Sequence, residues 1–132
     1  MMMNHRIDMK IIEKKYAINE RLVSERPITE IIYDDKYFNA TIHYAEYKGQ
    51  WAWGYNESYK GSGVGCGGGG CLPCFDSICK QPVLTKQEAR TAAIKHLISS
   101  FSKSGNHPYG KSVQPVIDSL TLALNPQMTL FP

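Results

Sequence analysis

The stretch GVGCGGGGCLPCFDSIC, residues 63–79, holds all four cysteines of the chain, Cys66, Cys71, Cys74 and Cys79, together with six of its eleven glycines. Thiolates are soft ligands that suit a tetrahedral zinc ion, and a C-x-x-C pair such as Cys71 and Cys74 brings two of them together from a short turn. Cys66 and Cys79 flank that pair symmetrically, with four residues between each and its neighbour. Established zinc modules mostly carry two such pairs a dozen or more residues apart, and here the second pair is missing. Cys66, Cys71 and Cys74 also satisfy the C-x4-C-x2-C spacing of plant-type iron–sulfur proteins, with the fourth cysteine too near for that arrangement. CLPC carries the proline of thioredoxin-like redox sites, yet Pro82 soon after Cys79 limits the helix whose dipole would lower a thiol pKa. The plainest alternative is four small, half-buried side chains in a glycine-rich loop that holds no ion.

Other reactive types are more dispersed. His5, His43, His96 and His107 form no H-E-x-x-H or comparable pair, and His43 and His96 fall on a strand and a helix face where core or half-exposed positions are expected. Asp34 and Asp35 precede Lys36 as a turn would. The glutamates are spread singly from Glu13 to Glu88, so nothing sets two carboxylates at a common site for acid/base work. GSGVGCGGGG has GxGxxG-like spacing, but no buried strand precedes it and no helix opens after it, as phosphate binding requires. Trp51, Trp53 and Tyr55 share one strand face; with Lys48 and Lys60 nearby they suit base stacking, and more naturally they form a floor for a helix. No catalytic set is assembled, so the chain reads as non-enzymatic, with zinc or nothing as its cofactor.

The elements that would position these residues are legible from composition and periodicity. With 132 residues, 42% hydrophobic, the chain suits one folded domain. Its net charge of +3, with basic residues scattered, permits nucleic-acid contact without demanding it. No signal-peptide core and no membrane-spanning apolar run is present, which predicts a soluble, cytoplasmic protein whose thiols are kept reduced. Residues 1–29 are expected to form an N-terminal helix or strand segment. In residues 30–103, Ala40, Ile42 and Tyr44, then Trp51, Trp53 and Tyr55, alternate with smaller or polar residues, which predicts two antiparallel strands joined by a tight turn at YKGQ, 47–50. EIIYD, 30–34, adds a third. The Gly/Cys-rich segment 60–82 reads as a loop. TKQEARTAAIKHLISSF opens with Thr85 and Glu88 in capping-box spacing and places Ala89, Ala92, Ala93, His96, Leu97 and Phe101 on one face. Residues 104–132 are expected to hold a short helix from about Pro115 and an extended tail. The predicted class is therefore α+β: a small antiparallel sheet, one main helix packed on it, a Gly/Cys loop between, and a C-terminal appendage.

Two resemblances sharpen this outline. ATIHYAEYKGQWAWGYNESYKGSGVGCGGGG followed by TKQEARTAAIKHL resembles a small Trp/Gly-rich accessory module of phage, plasmid and integrative-element proteins, often found beside ParB-like or methylase-associated chains. Trp51, Trp53, Gly54, the glycines of 61–70, Thr85, Glu88 and Ala89 carry the likeness over about half of the chain. It implies a mobile-element setting and an indirect association with DNA, without catalysis; no residue is singled out for nucleic-acid contact. QMTLF, residues 127–131, is similar to the QLxLF pentapeptide that docks bacterial polymerases and repair proteins on the sliding clamp. Gln127 would supply hydrogen bonds, and Met128, Leu130 and Phe131 would anchor in an apolar pocket, with Thr129 outward. Methionine for leucine at the second position is a departure that a flexible, unbranched residue accommodates.

Overall fold

The computed structural model describes residues 18–60, 67–76, 82–105 and 110–125. Four strands, β1 (Ile28–Asp34), β2 (Phe38–Tyr47), β3 (Gln50–Tyr59) and β4 (Gly67–Cys71), form one antiparallel sheet in the order β1-β2-β3-β4. Two helices, α1 (Lys86–Ser104) and α2 (Gln114–Leu124), follow in sequence. The α+β class expected from the sequence is the class observed.

The centre of the sheet is the β2–β3 hairpin, paired without interruption from Phe38↔Tyr59 to Tyr47↔Gln50. Its two-residue loop has positive φ at both positions, 51° at Lys48 and 79° at Gly49. That is the signature of a type I′ turn, whose twist matches that of the strands it joins. The connection before β2 is closed by Asp35, whose Oδ1 accepts from the Tyr37 and Phe38 amides at 2.7 Å each. β1 pairs with β2 from Ile28↔Tyr44 to Asp34↔Asn39, with a bulge between Ile31 and Tyr33.

Period two gives the sheet its two faces. Phe38, Ala40, Ile42 and Tyr44 point to the helices and are buried against Ala89, Ala93, Ile94, Leu97 and Phe101 of α1 and Val116 and Leu120 of α2. Trp51, Trp53, Tyr55 and Tyr59 of β3 lie half-buried at the margin of this core. The aromatic stripe is thus the floor under α1. Thr85 caps that helix, its Oγ1 accepting from the Glu88 amide at 3.0 Å. Ala92 and His96, placed on the helical face by spacing, are half-buried, while Ile94 joins the buried set.

The opposite face is covered at the hairpin-turn end by two irregular segments. Residues 18–24 close a narrow turn in which Asn19 Oδ1 accepts from the Arg21 and Val23 amides at 2.8 and 3.1 Å. This turn is tied to the chain after β4: Ser24 N donates to Pro73 O at 2.9 Å and Phe75 N to Leu22 O at 2.8 Å. Ile18, Ser24 and Pro73 are buried there, and Phe75 packs edge-on against Tyr47 at 5.6 Å. The crossing runs close over β3. A Cβ on Gly54 would lie 2.3 Å from the Cys71 carbonyl oxygen, so only glycine admits the passage.

The segment expected as a loop over 60–82 differs in its middle part. Gly67–Cys71 is a strand, paired with β3 from Tyr59↔Gly67 to Tyr55↔Cys71. Glycine lowers strand propensity through entropy and lost packing, but β3 is long enough to offer an open ladder. There the chains approach so closely that a Cβ on Gly70 would lie 2.5 Å from the Tyr55 carbonyl oxygen. Among the described residues, no helix is long and apolar enough to cross a membrane.

Candidate functional site

Two polar clusters sit on the helix side of the sheet. The first ties the layers together. Glu30 of β1 accepts from the Tyr44 hydroxyl and from Arg90 of α1 at both oxygens, Nε to Oε2 at 2.9 Å and Nη2 to Oε1 at 3.2 Å. Arg90 Nη1 also donates to the Ala123 carbonyl of α2 at 2.8 Å. One guanidinium therefore joins β1, β2, α1 and α2, with the fork geometry that suits a planar carboxylate. Burial opposes ionisation of Glu30, but the bonds from Arg90 and Tyr44 outweigh it and hold the carboxyl below its ordinary range. Burial, then the bond to Glu30, pushes the Tyr44 phenol up to about 12. This cluster is structural, since each polar group is spent on a neighbour.

The second cluster lies along the seam between β3 and α1, beside β4. Trp53, Tyr55, Glu57 and Tyr59 alternate on β3, facing His96 and Ser100 one helical turn apart on α1. The His96 ring sits 4.2 Å from that of Tyr55 and 5.4 Å from that of Trp53, centre to centre. Tyr59 packs against Phe101 at 5.6 Å and Phe38 at 5.8 Å. Glu57 is 8% exposed; its Oε1 accepts from the Ser100 hydroxyl, whereas its Oε2 is buried with no hydrogen-bond partner. Burial is the main cause that raises the Tyr55 and Tyr59 phenols, and the nearby Glu57 adds to it in both.

Glu57 stands opposite Gly69 in the β3–β4 register, with Gly67 and Cys71 two residues to either side on the same face. Where an ordinary strand would lay side chains against Glu57, β4 offers glycine. Among the described residues, no hydrogen bond links His96 to Glu57 or Ser100. The seam brings together an aromatic row, an imidazole and a carboxyl oxygen that has no donor.

The residues singled out by sequence are placed as follows. Cys71 ends β4 and is exposed, while Cys74 lies buried beyond it, in a β-bridge with Val23, and is disulfide-bonded. That bond departs from the reduced thiols expected from the sequence. Cys66 and Cys79 lie outside the described residues, as do Gln127, Met128, Leu130 and Phe131 and the histidines His5 and His107. Among the described residues, no group of three or more histidine, cysteine, aspartate or glutamate side chains is gathered as a metal would need. His43 is on the other face, its Nδ1 2.9 Å from Thr29 Oγ1, and burial pushes its imidazole below the usual range. Glu57 and Ser100 were not distinguishable by sequence from other isolated polar residues; the glutamate's position in period with Trp53 and Tyr55 was the one available signal. Comparison with protein families, curated proteins and solved structures found no match to this chain.

Proposed function

We propose that the chain is a non-enzymatic accessory protein of a mobile genetic element or its bacterial host, acting near DNA replication, partition or defence evasion. It docks on the sliding clamp through Gln127, Met128, Leu130 and Phe131. The observation that supports this reading most is where α2 stops. The Asn125 amide closes the helix on the Thr121 carbonyl at 3.0 Å, and Pro126, which lacks an N–H, is a poor residue with which to continue it. The pentapeptide begins directly after Pro126, and its glutamine and apolar residues suit a groove that takes an extended peptide. The resemblance of the Trp/Gly block to mobile-element modules supports the same setting.

Titration of the full chain onto purified bacterial sliding clamp, followed by calorimetry, tests the reading. Binding is expected, and Leu130→Ala with Phe131→Ala should weaken it at least a hundredfold, since buried apolar and aromatic anchors dominate such interfaces. Equal binding by the double variant would remove the clamp from the proposal.

A further inference from the structure

The glycine strand and the buried glutamate beside it point to a second binding surface, independent of the C-terminal motif. β4 is the last strand of the sheet, and among the described residues none pairs with its outer side. Gly68, Gly69 and Gly70 are exposed, so the outward N–H and C=O groups of this stretch are a template for another extended backbone. Natural sheets blunt such edges with charge, proline or a covering element. Here the edge carries no side chain at all over Gly67–Gly70.

That bareness leaves no Cβ between an added strand and the next row. A strand added to β4 would lie about 10 Å from β3, two spacings of roughly 4.8 Å. Its residue opposite Gly69 would face Glu57 across a position with no Cβ. A Cβ on Gly69 would itself meet nothing within 4 Å, so the space above this glycine is open. Glu57 Oε2 is buried without a partner, and Tyr55 and Tyr59 flank it at two-residue spacing on the same face. A long cationic side chain complements this arrangement, and arginine does so best. Its planar fork pairs with a carboxylate while its face stacks on an aromatic ring, which the compact ammonium of lysine does less well.

We propose that the outer edge of β4 accepts an extended peptide by strand addition, with an arginine opposite Gly69 that reaches over the glycine to Glu57. Main-chain hydrogen bonds to the outward-facing groups of Gly67–Gly70, those not bonded to β3, supply affinity, and the Glu57 carboxyl with its flanking tyrosines selects the arginine.

The full chain is titrated with acetyl-Thr-Val-Thr-Arg-Thr-Val-Thr-amide and with the same peptide carrying norleucine for arginine. Tryptophan fluorescence and amide hydrogen exchange are the readouts. The arginine peptide is expected to bind at least tenfold more tightly, to slow exchange at residues 67–70, and to lose binding when its alternate amides are N-methylated. Glu57→Gln should bring the two peptides to equal affinity; the ratio on the unmodified chain decides the matter if that variant does not fold. Equal affinities on the unmodified chain, or no binding at millimolar peptide, would overturn the proposal. So would protection, before any peptide is added, of those amides of this stretch that are not bonded to β3, because a second copy or another part of this chain would then hold the edge.

Discussion

Replacing Arg90 by leucine should cost the fold about 2 kcal/mol, and the loss should be coupled to Glu30. The guanidinium makes two bonds to the Glu30 carboxylate and one to the Ala123 carbonyl. Charge-assisted hydrogen bonds contribute roughly 1.5–3 kcal/mol each when buried, and removing one partner of a fully buried pair costs about 3–5 kcal/mol. The two side chains are 21% and 31% exposed, however, so water can reach Glu30 once the arginine is gone. This places the effect near the lower end. Urea unfolding of the unmodified chain, Arg90→Leu, Glu30→Gln and the double variant forms a thermodynamic cycle. A coupling of at least about 1 kcal/mol is expected, with m unchanged, since contacting residues in one network couple by roughly 0.5–3 kcal/mol. A coupling near zero with an intact Arg90→Leu fold would refute the view that this pair fastens the helices to β1.

The same cluster predicts an alkaline weakness. The Tyr44 phenol is held at about 12 against an ordinary 10.0, so its contribution is complete below pH 10 and lost as pH rises toward 12. At 1.36 kcal/mol per tenfold, that contribution is about 3 kcal/mol. Unfolding free energies measured from pH 9 to 12 should fall more steeply for the unmodified chain than for Tyr44→Phe; parallel curves would contradict the assignment. At the glycine edge, Gly70→Ala should speed amide exchange over residues 67–71, because its Cβ would meet the Tyr55 carbonyl at 2.5 Å. Gly69→Ala, with open space at that position, should leave exchange unchanged, and equal behaviour of the two would show that close approach does not hold β4 in place.

How far the sequence discloses this architecture depends on whether local chemistry is decisive. Lys48-Gly49 between two alternating runs, and Thr85 with Glu88 before an apolar helical stripe, are local signals, and tertiary structure obeys both. Trp51, Trp53 and Tyr55 announced a helix-bearing face through period two. Gly67–Gly70 gave no such signal, because these residues become a strand only when β3 offers its edge, a long-range condition invisible to propensity. Glu57 was hidden for a related reason. Its burial follows from the register of β3 under Ser100, and nothing in its immediate neighbours distinguishes it from the exposed Glu46. The cysteine spacing carries no sign of depth: Cys71 is exposed at the end of β4, and Cys74 is buried beside Val23.

The order β1-β2-β3-β4 has a kinetic consequence. Every strand pairs with its neighbour in sequence, so the sheet assembles through short loop closures rather than distant encounters. Low sequence separation of this kind favours fast folding among small domains. The ten-pair β2–β3 hairpin, closed by Lys48-Gly49, is the natural place for that assembly to start. β1 and β4 then join from opposite sides as separate additions. Release of β4 would therefore leave a three-stranded meander still packed under its helices, and opening of that edge need not cross the barrier to global unfolding.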